Sequence, residues 1–565
     1  MAEFLSMEEV AFKPRAYEKA ALSLETLREN IGEIYKKKGI EGLKSIPGVG
    51  QGIAEKIIEY LKTGKIKEHQ RLKKKFPVKI EELTAVEGIG PKMARDLYEQ
   101  LKIKDIKDLE KAAKAGKIRG LPRFGLKTEQ NILQGIKFFK KSGSRFLLGE
   151  ILPRVYEIIA ELKNFKEVKQ ISEAGSVRRR LETIGDIDIL IASPNPEKVV
   201  DYFVSLPGII KIWNKGPTKA SIRLSGEYDV DLRVLPEKQF GSALQYFTGS
   251  KEHNIVLRKI AVKKGLKLSE YGLFKGEKRI AAESEEEIYR ALELNYIEPE
   301  MRENQGEIEL SLKGKLPKLI ELKDIKGDLH CHSHWGAGKR TINELAETAI
   351  KIGYEYIGIS DHTKFLRIEY GLDEKKLMEQ KKYIDKLNQK LKIENCKLKI
   401  LCGCEANILA DGSIDIADKI LAKLDYVIAG VHSQMKMPKN EMTERIVKAM
   451  RNPNVDIISH PTGRILKQRE EYQIDFDKIL KIAKETGTIL EINANPFRLD
   501  LNDQNIRRAK KIGVKMIINS DAHQKEQLNF MPYGVFQARR GWAEKNDVIN
   551  AWPLQKFLNF IKQQV

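Results

Sequence analysis

The chain of 565 residues has little of what marks secreted or membrane proteins. It holds four cysteines, and their spacing matches no disulfide framework of a secreted domain. No apolar run approaches the length of a membrane span, and the first residues lack the basic start of a signal peptide. We therefore expect a cytoplasmic protein with reduced thiols and no membrane partner.

Acidic side chains are also in deficit. The sequence has 101 Lys+Arg against 80 Asp+Glu, a formal net charge of +21. Such an excess of positive charge is typical of a protein that binds a polyanion. A chain of this length should fold as several domains with ample buried core.

Two short stretches carry the most informative pattern. Gly185-Asp186-Ile187-Asp188-Ile189-Leu190-Ile191 is typical of a buried strand, and its period of two puts both acids on one face. The stretch from Tyr228 to Val234 predicts a second strand that brings Asp231 to the same face, with Asp229 as the alternative third acid. Close carboxylates repel one another unless a cation lies between them, so the trio suits a pair of Mg²⁺ ions. Solvated acids at a strand end are the competing interpretation, which the small-residue turn Gly175-Ser176 disfavours because it suits a phosphate.

These motifs resemble the palm of a family X DNA polymerase, the group that includes DNA polymerase beta. The segment Tyr246 to Ser250, with Asn254 and Arg258 at the family's spacing, strengthens the resemblance. The resemblance implies two-metal nucleotidyl transfer at Asp186, Asp188 and Asp231. It also implies a nucleotide-binding set: Gly175, Ser176, Arg179, Gly185, Tyr246, Phe247, Gly249, Asn254 and Arg258.

Within that set, the resemblance assigns separate roles. Gly175, Ser176 and Arg179 would contact the triphosphate. Asn254 would lie at the base edge, and Arg258 would reach the minor groove. Tyr246 and Phe247 would crowd the sugar 2′ position and exclude ribonucleotides, although ordinary core aromatics are the alternative for either ring.

A short glycine pattern repeats near the amino terminus. Ile46-Pro47-Gly48-Val49-Gly50 recurs as Val86-Glu87-Gly88-Ile89-Gly90, and Leu121 to Thr128 is a weaker third copy. The copies resemble helix-hairpin-helix motifs, which bind the DNA backbone without reading sequence. The resemblance implies a K⁺ or Na⁺ ion on two sets of backbone carbonyls: Lys44, Ile46 and Val49, and Thr84, Val86 and Ile89.

The helix after the first copy raises a second hypothesis. Ile53 to Ile58 matches the family helix whose lysine forms a Schiff base with a 5′-deoxyribose phosphate, which makes Lys56 the nucleophile, supported by Lys13 and Tyr17. Gly52 and Glu68 stand where the beta enzyme has phosphate-binding lysines. An exposed helix lysine is therefore an equal alternative.

The last part of the chain alternates strand and helix patterns, which predicts a parallel α/β barrel. Six of the nine histidines follow the ends of these strands, where a barrel gathers its site residues. We interpret His69, His253 and His334 as ordinary core or surface histidines. The candidate metal ligands are His330, His332, His362, Glu405, His432, His460, Asp521 and His523.

These motifs resemble a PHP (polymerase and histidinol phosphatase) domain, a distorted seven-stranded barrel. The resemblance implies two or three Mn²⁺ or Zn²⁺ ions for phosphoester hydrolysis, with Glu405 as the bridging carboxylate. Ala337 stands where the family usually has a ligand aspartate, and His334 is a candidate replacement. The implied activity is a 3′→5′ exonuclease, with cleavage at abasic sites as a further hypothesis.

Together the patterns predict a multidomain α+β and α/β protein in the order of a prokaryotic family X polymerase. The predicted limits are 1–82 for a lyase-like helix-hairpin-helix domain, 83–143 for fingers, 144–235 for the palm, 236–310 for the thumb, 311–325 for a linker and 326–565 for the PHP domain. We expect a monomer that fills short gaps in gapped or nicked duplex DNA with dNTPs in DNA repair.

Three other interpretations stay open at this point. One is the polymerase with a decayed, structural PHP barrel, which Ala337 favours. Another is a template-independent nucleotidyltransferase, which the paired hairpin motifs and the Tyr246 to Arg258 segment oppose. The third is a non-catalytic DNA-binding scaffold, which the intact acids at both sites oppose.

Overall fold

The computed structural model describes residues 1–10, 12–25, 31–46, 48–84, 86, 89–142, 145–226 and 228–562. Pro47, Glu87 and Gly88 of the repeated motif lie outside these described residues. The chain forms two compact units, Met1–Gly143 with Lys467–Arg469, and Ser144–Leu466 with Glu470–Val565. No helix in the described ranges combines the length and apolarity needed to cross a membrane.

The first unit is helical in its described part. Its helices α1 to α9 are Ala2–Met7, Lys13–Glu25, Ile31–Lys44, Gln51–Thr63, Lys67–Lys75, Ile80–Thr84, Pro91–Leu101, Ile106–Lys114 and Leu126–Ser142. Local chemistry sets several ends: the Asp105 side chain accepts from two backbone N–H groups at the start of α8, and Gly64 ends α4 with φ 68°. Two apolar cores, one on α1 and α5 to α9 and one on α2 to α4, hold these short helices in place.

The second unit opens with a five-stranded mixed sheet and a separate pair of short strands. The strands β1 to β7 are Phe146–Leu147, Gln170–Glu173, Thr183–Ile184, Ile187–Ala192, Ile209–Lys215, Lys219–Leu224 and Asp229–Leu235; the helices α10 to α12 are Leu148–Lys163, Gly175–Arg178 and Pro196–Phe203. The sheet has the strand order β2-β4-β7-β6-β5, and β1 pairs with β3. Alternate apolar residues of β4 and β7 are buried under α10 and α12, so Asp188 and Asp231 lie on the opposite face.

A smaller helical segment with a three-stranded antiparallel sheet follows. It contains α13 to α16, Phe240–Thr248, Lys251–Lys263, Glu285–Ala291 and Glu307–Leu312, and β8 to β10, Lys267–Ser269, Gly272–Lys275 and Lys278–Ala281. His253 lies in its core, with Nδ1 2.7 Å from Glu307 and Nε2 2.9 Å from the Tyr289 hydroxyl, as expected for a core histidine. In the predicted linker, Leu319 and Ile320 are buried, so this segment packs against the rest of the unit.

The rest of the second unit is a parallel barrel. Its strands β11 to β18 are Gly327–Cys331, Tyr356–Ile359, Lys399–Cys402, Glu405–Asn407, Ile428–Gly430, Ile457–Ile458, Ile489–Asn493 and Met516–Asn519. Its helices α17 to α24 are Ile342–Ile352, Glu374–Ile393, Asp418–Leu421, Lys439–Met450, Phe476–Thr486, Asp503–Ile512, Met531–Arg540 and Leu554–Lys562. Short 3-10 helices lie at Glu237–Gln239, Pro299–Met301, Leu322–Asp324, Arg367–Glu369, Lys525–Phe530, Lys545–Asp547 and Ile549–Ala551.

The barrel is distorted at one strand. Strand β13 pairs with β12 and β14 pairs with β15, although only Gly403 and Cys404 separate them. A Cβ at Gly403 would lie 2.4 Å from the Tyr426 ring, so glycine is needed where this strand bends. Single bridges from Cys331 to Ala522 and from His362 to Glu405 join the two sheets. Strands β13 and β14 therefore act as one bent strand, and the barrel has seven strand positions, as the resemblance implied.

Candidate metal centres

The palm sheet brings the predicted acids together. Asp188 on β4 lies directly opposite Asp231 on the neighbouring parallel strand β7, and Asp186 immediately precedes β4. Burial, together with the carboxylates of Asp186 and Asp231, raises the pKa of Asp188 to about 7. The Ser221 hydroxyl donates to Asp231 Oδ1. The face thus concentrates negative charge that a divalent cation would relieve.

Asp229, the alternative third acid, has other partners. Its carboxylate accepts two hydrogen bonds from Arg223, each of 2.7 Å, and one of 3.0 Å from Trp213 Nε1. These contacts lower the pKa of Asp229. Because Arg223 already neutralises Asp229, Asp231 is the better candidate for the third ligand.

The predicted phosphate turn lies beside these acids. Gly175 begins α11 with φ 55°, and Ser176 follows in the same turn. The N–H of Ala174 donates to the Asp188 carbonyl oxygen at 2.8 Å, which fixes the turn against β4. Arg179 follows α11, and its Nε lies 3.0 Å from Glu303 Oε1. The backbone N–H of Arg179 donates to the Gly175 carbonyl oxygen at 3.2 Å, so Arg179 lies beside the turn that contacts β4.

Four of the remaining nucleotide-binding candidates lie on α13 and α14, Gly249 lies between these helices, and Gly185 lies between β3 and β4. Asn254 is nearly buried, and its side-chain amide donates to the Tyr246 carbonyl oxygen at 2.7 Å. The Tyr246 and Phe247 rings are half-buried and meet edge to face at 5.1 Å, whereas Arg258 is exposed. The contact from Asn254 to Tyr246 therefore links the predicted base-edge residue to the predicted sugar gate.

Glu405 is the centre of the barrel cluster. Its Oε2 lies 3.2 Å from His330 Nε2, 3.7 Å from His332 Nε2 and 2.9 Å from His362 Nδ1. Its Oε1 lies 3.1 Å from both His432 Nε2 and His460 Nε2. Burial opposes ionisation, but the surrounding histidines hold the pKa of Glu405 well below its usual range. One carboxylate that faces two sets of imidazoles is the arrangement expected of a bridging ligand.

The donor atoms of this cluster fit metal ions. Three groups of ligand atoms lie within 4.8 Å of one another: His332, His362 and His523; His330, His332 and Glu405; and His362, Glu405 and His432. Buried atoms that include His330 Nε2, His332 Nε2 and Glu405 Oε2 have no hydrogen-bond partner within the described part of the chain. Buried polar atoms without partners are costly, and a cation would satisfy them together.

Two residues that the sequence patterns did not single out orient the ligands. Glu491 Oε1 lies 2.7 Å from His330 Nδ1, and Asn407 Oδ1 lies 2.9 Å from His432 Nδ1. A proton on each Nδ1 leaves Nε2 free as a ligand. Both residues are buried inside strands, and their period-two alternation with apolar neighbours on β17 and β14 is the signal that could have revealed them.

Asp521 and His460 complete the rim of the cluster. Asp521 Oδ1 lies 3.3 Å from His332 Nε2, and the cationic Arg498 lies 3.7 Å from Oδ2. Asp521 has φ 55° and His460 φ 28°, backbone conformations that are costly for these residue types and cluster at functional sites. His334 is exposed and belongs to none of the three ligand groups found among the described residues.

The amino-terminal hairpins share one backbone geometry. The N–H of Val49 donates to the Ile46 carbonyl and that of Ile89 to the Val86 carbonyl, each at 3.0 Å. Phe124 and Leu121 make the same contact in the weaker third copy. Lys44 ends α3 and Thr84 ends α6, so the six predicted carbonyls lie on two equivalent turns. In both turns a glycine then precedes the next helix.

Lys56 lies in an open pocket that Lys13, Tyr17 and Glu68 also line. Its ammonium nitrogen is 3.5 Å from a carboxylate oxygen of Glu59 and 3.5 Å from one of Glu68. Burial lowers the pKa of Lys56, but the two carboxylates outweigh it and raise the pKa. The pocket thus brings the predicted lyase residues together while keeping the amine protonated, which disfavours nucleophilic attack.

Comparisons with known proteins agree with this architecture. Family models match a helix-hairpin-helix domain at 1–66, a helix-hairpin-helix tandem at 80–137, the DNA polymerase beta thumb at 243–303 and the PHP domain at 328–495. The DNA polymerase/3'-5' exonuclease PolX of Bacillus subtilis (strain 168) is 40% identical over 557 residues, covering 98% of this chain and 95% of that protein. A probable phosphatase of Thermoanaerobacter sp. (strain X514) is 35% identical over 211 residues, 35% of this chain and 78% of that protein.

The fold and its two sites define an enzyme that joins a nucleotidyltransferase-type palm to a phosphoesterase barrel. With nearly its whole length matched at that identity, the chain belongs to the prokaryotic family X DNA polymerases that carry a PHP domain.

Proposed function

We propose that this protein is a DNA-directed DNA polymerase that fills short gaps in duplex DNA and whose barrel degrades DNA from 3′ ends. One observation carries the proposal. The compact unit in which Asp188 lies opposite Asp231 also contains the cluster around Glu405. The Bacillus subtilis relative, named for both activities, supports it. Hairpin motifs and a thumb support DNA as the partner.

In the palm, Asp186, Asp188 and Asp231 would hold two Mg²⁺ ions. Bound there, the ions would lower the pKa of the primer 3′-hydroxyl and neutralise charge on the phosphates. Arg179 would bind the triphosphate, with Gly175 and Ser176 approaching it through the backbone. Asn254 would orient the base, and the contact from Asn254 to Tyr246 would carry that orientation to the sugar gate.

In the barrel, His330, His332, Glu405, His432 and Asp521 would be the principal ligands of Mn²⁺ or Zn²⁺. His362, His460 and His523 would complete the set. Such ions would supply an activated water and offset the charge that builds on the scissile phosphate. Glu491 and Asn407 would hold two of the imidazoles in the tautomer that ligation needs.

The primary test uses one-nucleotide-gapped DNA with a 5′-labelled primer. With dNTPs and Mg²⁺, the purified protein should lengthen the primer. With Mn²⁺ alone, it should shorten the primer. Salt should weaken binding steeply because phosphate contacts release counterions. Absence of extension would exclude the polymerase, and absence of shortening would leave the barrel a structural domain.

Sugar discrimination has a separate test. Tyr246→Ala should incorporate ribonucleotides more readily than the wild type, because the half-buried ring no longer limits space at the 2′ position. The ratio of kcat/KM for dNTP and NTP measures the effect. An unchanged ratio would assign Tyr246 to packing alone.

A further inference from the structure

A chain of charged contacts joins the barrel to the palm within the second unit. Arg540, the last residue of α23, has Nη1 2.9 Å from the carbonyl oxygen of Arg179 and 3.1 Å from Glu303 Oε1. The same Glu303 oxygen lies 3.0 Å from Arg179 Nε. One arginine of the barrel therefore contacts both the backbone of Arg179 and the carboxylate that holds its guanidinium.

Arg540 is itself firmly held. Its Nη2 donates to Asp503 Oδ2 at 2.6 Å, and only 6% of its side chain is exposed. Asp503 begins α22, so both ends of this anchor belong to helices of the barrel. Because Asp503 fixes the planar guanidinium of Arg540, its other N–H donors already point toward their acceptors. Less conformational entropy is then lost when these donors orient the groups that they contact.

The contacted residue lies beside the palm acids. The Arg179 backbone N–H donates to the Gly175 carbonyl oxygen at 3.2 Å, and the adjacent Ala174 N–H donates to the Asp188 carbonyl oxygen at 2.8 Å. The Arg179 side chain donates from Nη1 to the Thr248 carbonyl oxygen. Its backbone contacts Arg540, its Nε contacts Glu303 and its Nη1 contacts Thr248. Without Arg540, the Glu303 carboxylate would have Arg179 as its remaining close cation. With Arg540 fixing neither Glu303 nor the Arg179 carbonyl, the Arg179 guanidinium would be oriented less firmly toward a triphosphate.

We propose that Arg540 is a positioning residue for nucleotide binding in the palm, so that the barrel supports the polymerase site as well as its own. The proposal rests on the proposed polymerase function. It assigns to α23 a role in the affinity for dNTP that does not involve the metal cluster of the barrel.

The adjacent arginine provides a matched control. Arg539 lies on the same helix and is partly buried, with Nε 2.7 Å from Glu300 Oε1 and Nη2 3.3 Å from Glu298 Oε2. Glu300 lies in the 3-10 helix Pro299–Met301 of the thumb segment, and Glu298 immediately precedes it. Arg539→Ala therefore removes ion pairs between the same parts of the chain while leaving the contacts of Arg179 in place.

The experiment compares Arg540→Ala, Arg540→Lys and Arg539→Ala in single-nucleotide insertion on gapped DNA. Arg540→Ala should raise KM for dNTP by about tenfold with a smaller change in kcat, as expected when a charged contact to a binding group is lost. Arg540→Lys should recover part of the affinity, and Arg539→Ala should resemble the wild type. Degradation of 3′ ends with Mn²⁺ should persist in all three, which shows that the barrel is folded.

A second variant keeps the test decisive if Arg540→Ala does not fold. Glu303→Gln should also raise KM, and adding Arg540→Ala to it should cost little more because both act through one contact. The inference is overturned if the wild type extends primers and KM is unchanged in Arg540→Ala and in Glu303→Gln, or if Arg539→Ala raises KM as much as Arg540→Ala. A wild type that extends no primer would instead overturn the proposed function and this inference with it.

Discussion

A Cβ atom at Gly175 would lie 2.0 Å from Oδ2 of Asp188. The glycine also has φ 55°, which side chains rarely adopt. Gly175→Ala should therefore push the Asp188 carboxylate out of its position and lower kcat/KM for primer extension at least about tenfold, because small displacements of catalytic groups are costly. Degradation of 3′ ends should be unaffected.

Gly276 offers the control for that substitution. It has φ 57°, close to that of Gly175, but a Cβ there meets nothing within 4 Å, so Gly276→Ala should extend primers normally. Equal activity of the two variants would show that the turn beside Asp188 tolerates a side chain and does not shape the site.

The buried acid of the palm should make stability depend on pH. Asp188 has its pKa raised to about 7 from 3.8, so between these values the folded, metal-free protein holds a proton that the unfolded chain releases. The free energy of unfolding should thus fall as pH rises from about 4 to 7. Asp188→Asn lacks this penalty and should unfold at a higher temperature than the wild type at pH 8, with a smaller difference at pH 5.

Thermal unfolding with EDTA at both pH values measures this difference. Mg²⁺ should reduce the difference at pH 8, because the ion binds the deprotonated carboxylate. A difference that is the same at both pH values would mean that Asp188 is not buried among like charges.

The carboxylates of Glu59 and Glu68, which both lie beside the Lys56 amine, should suppress lyase chemistry at Lys56. Glu68→Gln removes one of the charges that hold the amine protonated and should increase borohydride trapping of a 5′-deoxyribose-phosphate DNA adduct. Glu82→Gln, which breaks a comparable ion pair with Lys79, is the control. Trapping that Lys56→Ala retains, or that Glu68→Gln leaves unchanged, would contradict this account of the pocket.

Glu491 should control metal loading of the barrel. Glu491→Gln weakens the hydrogen bond that orients His330 and should reduce Mn²⁺ affinity about 10- to 100-fold, the usual cost of losing such a partner. Equilibrium dialysis measures the affinity, and primer extension should stay normal. Glu485→Gln changes an exposed acid on α21 of the same barrel and should bind metal like the wild type. If Glu491→Gln binds Mn²⁺ as tightly as the wild type, Glu491 does not orient a ligand of the metal centre.

Much of the fold and site could be predicted because local patterns encode them. Period-two acids predicted that Asp186 and Asp188 share one face, although the strand begins only after Asp186, and histidines after successive strands predicted the cluster around Glu405. The pattern from Tyr228 to Val234 predicted the partner strand, and the resemblance favoured Asp231 over Asp229 on it. The repeated glycine spacing near the amino terminus predicted that the hairpins share one backbone geometry.

Other features were hidden because they depend on tertiary contacts. Nothing local shows that Arg223 neutralises Asp229, or that Glu68 joins Glu59, the i+3 neighbour of Lys56 on α4, in facing that lysine. Glu491 and Asn407 look like ordinary polar interruptions of buried strands until the barrel closes. The contact from Arg540 to Arg179 joins positions 361 residues apart in the chain, and no local sequence pattern predicts a contact between such distant positions.

The most direct test of two independent sites is a single gel on gapped DNA with a 5′-labelled primer, comparing wild type, Asp188→Asn and Glu405→Ala. With dNTPs and Mg²⁺, the wild type and Glu405→Ala should lengthen the primer and Asp188→Asn should not. With Mn²⁺ alone, the wild type and Asp188→Asn should shorten it and Glu405→Ala should not. Loss of both activities in either variant, or shortening by Glu405→Ala, would contradict the assignment of two chemistries to two separate metal centres.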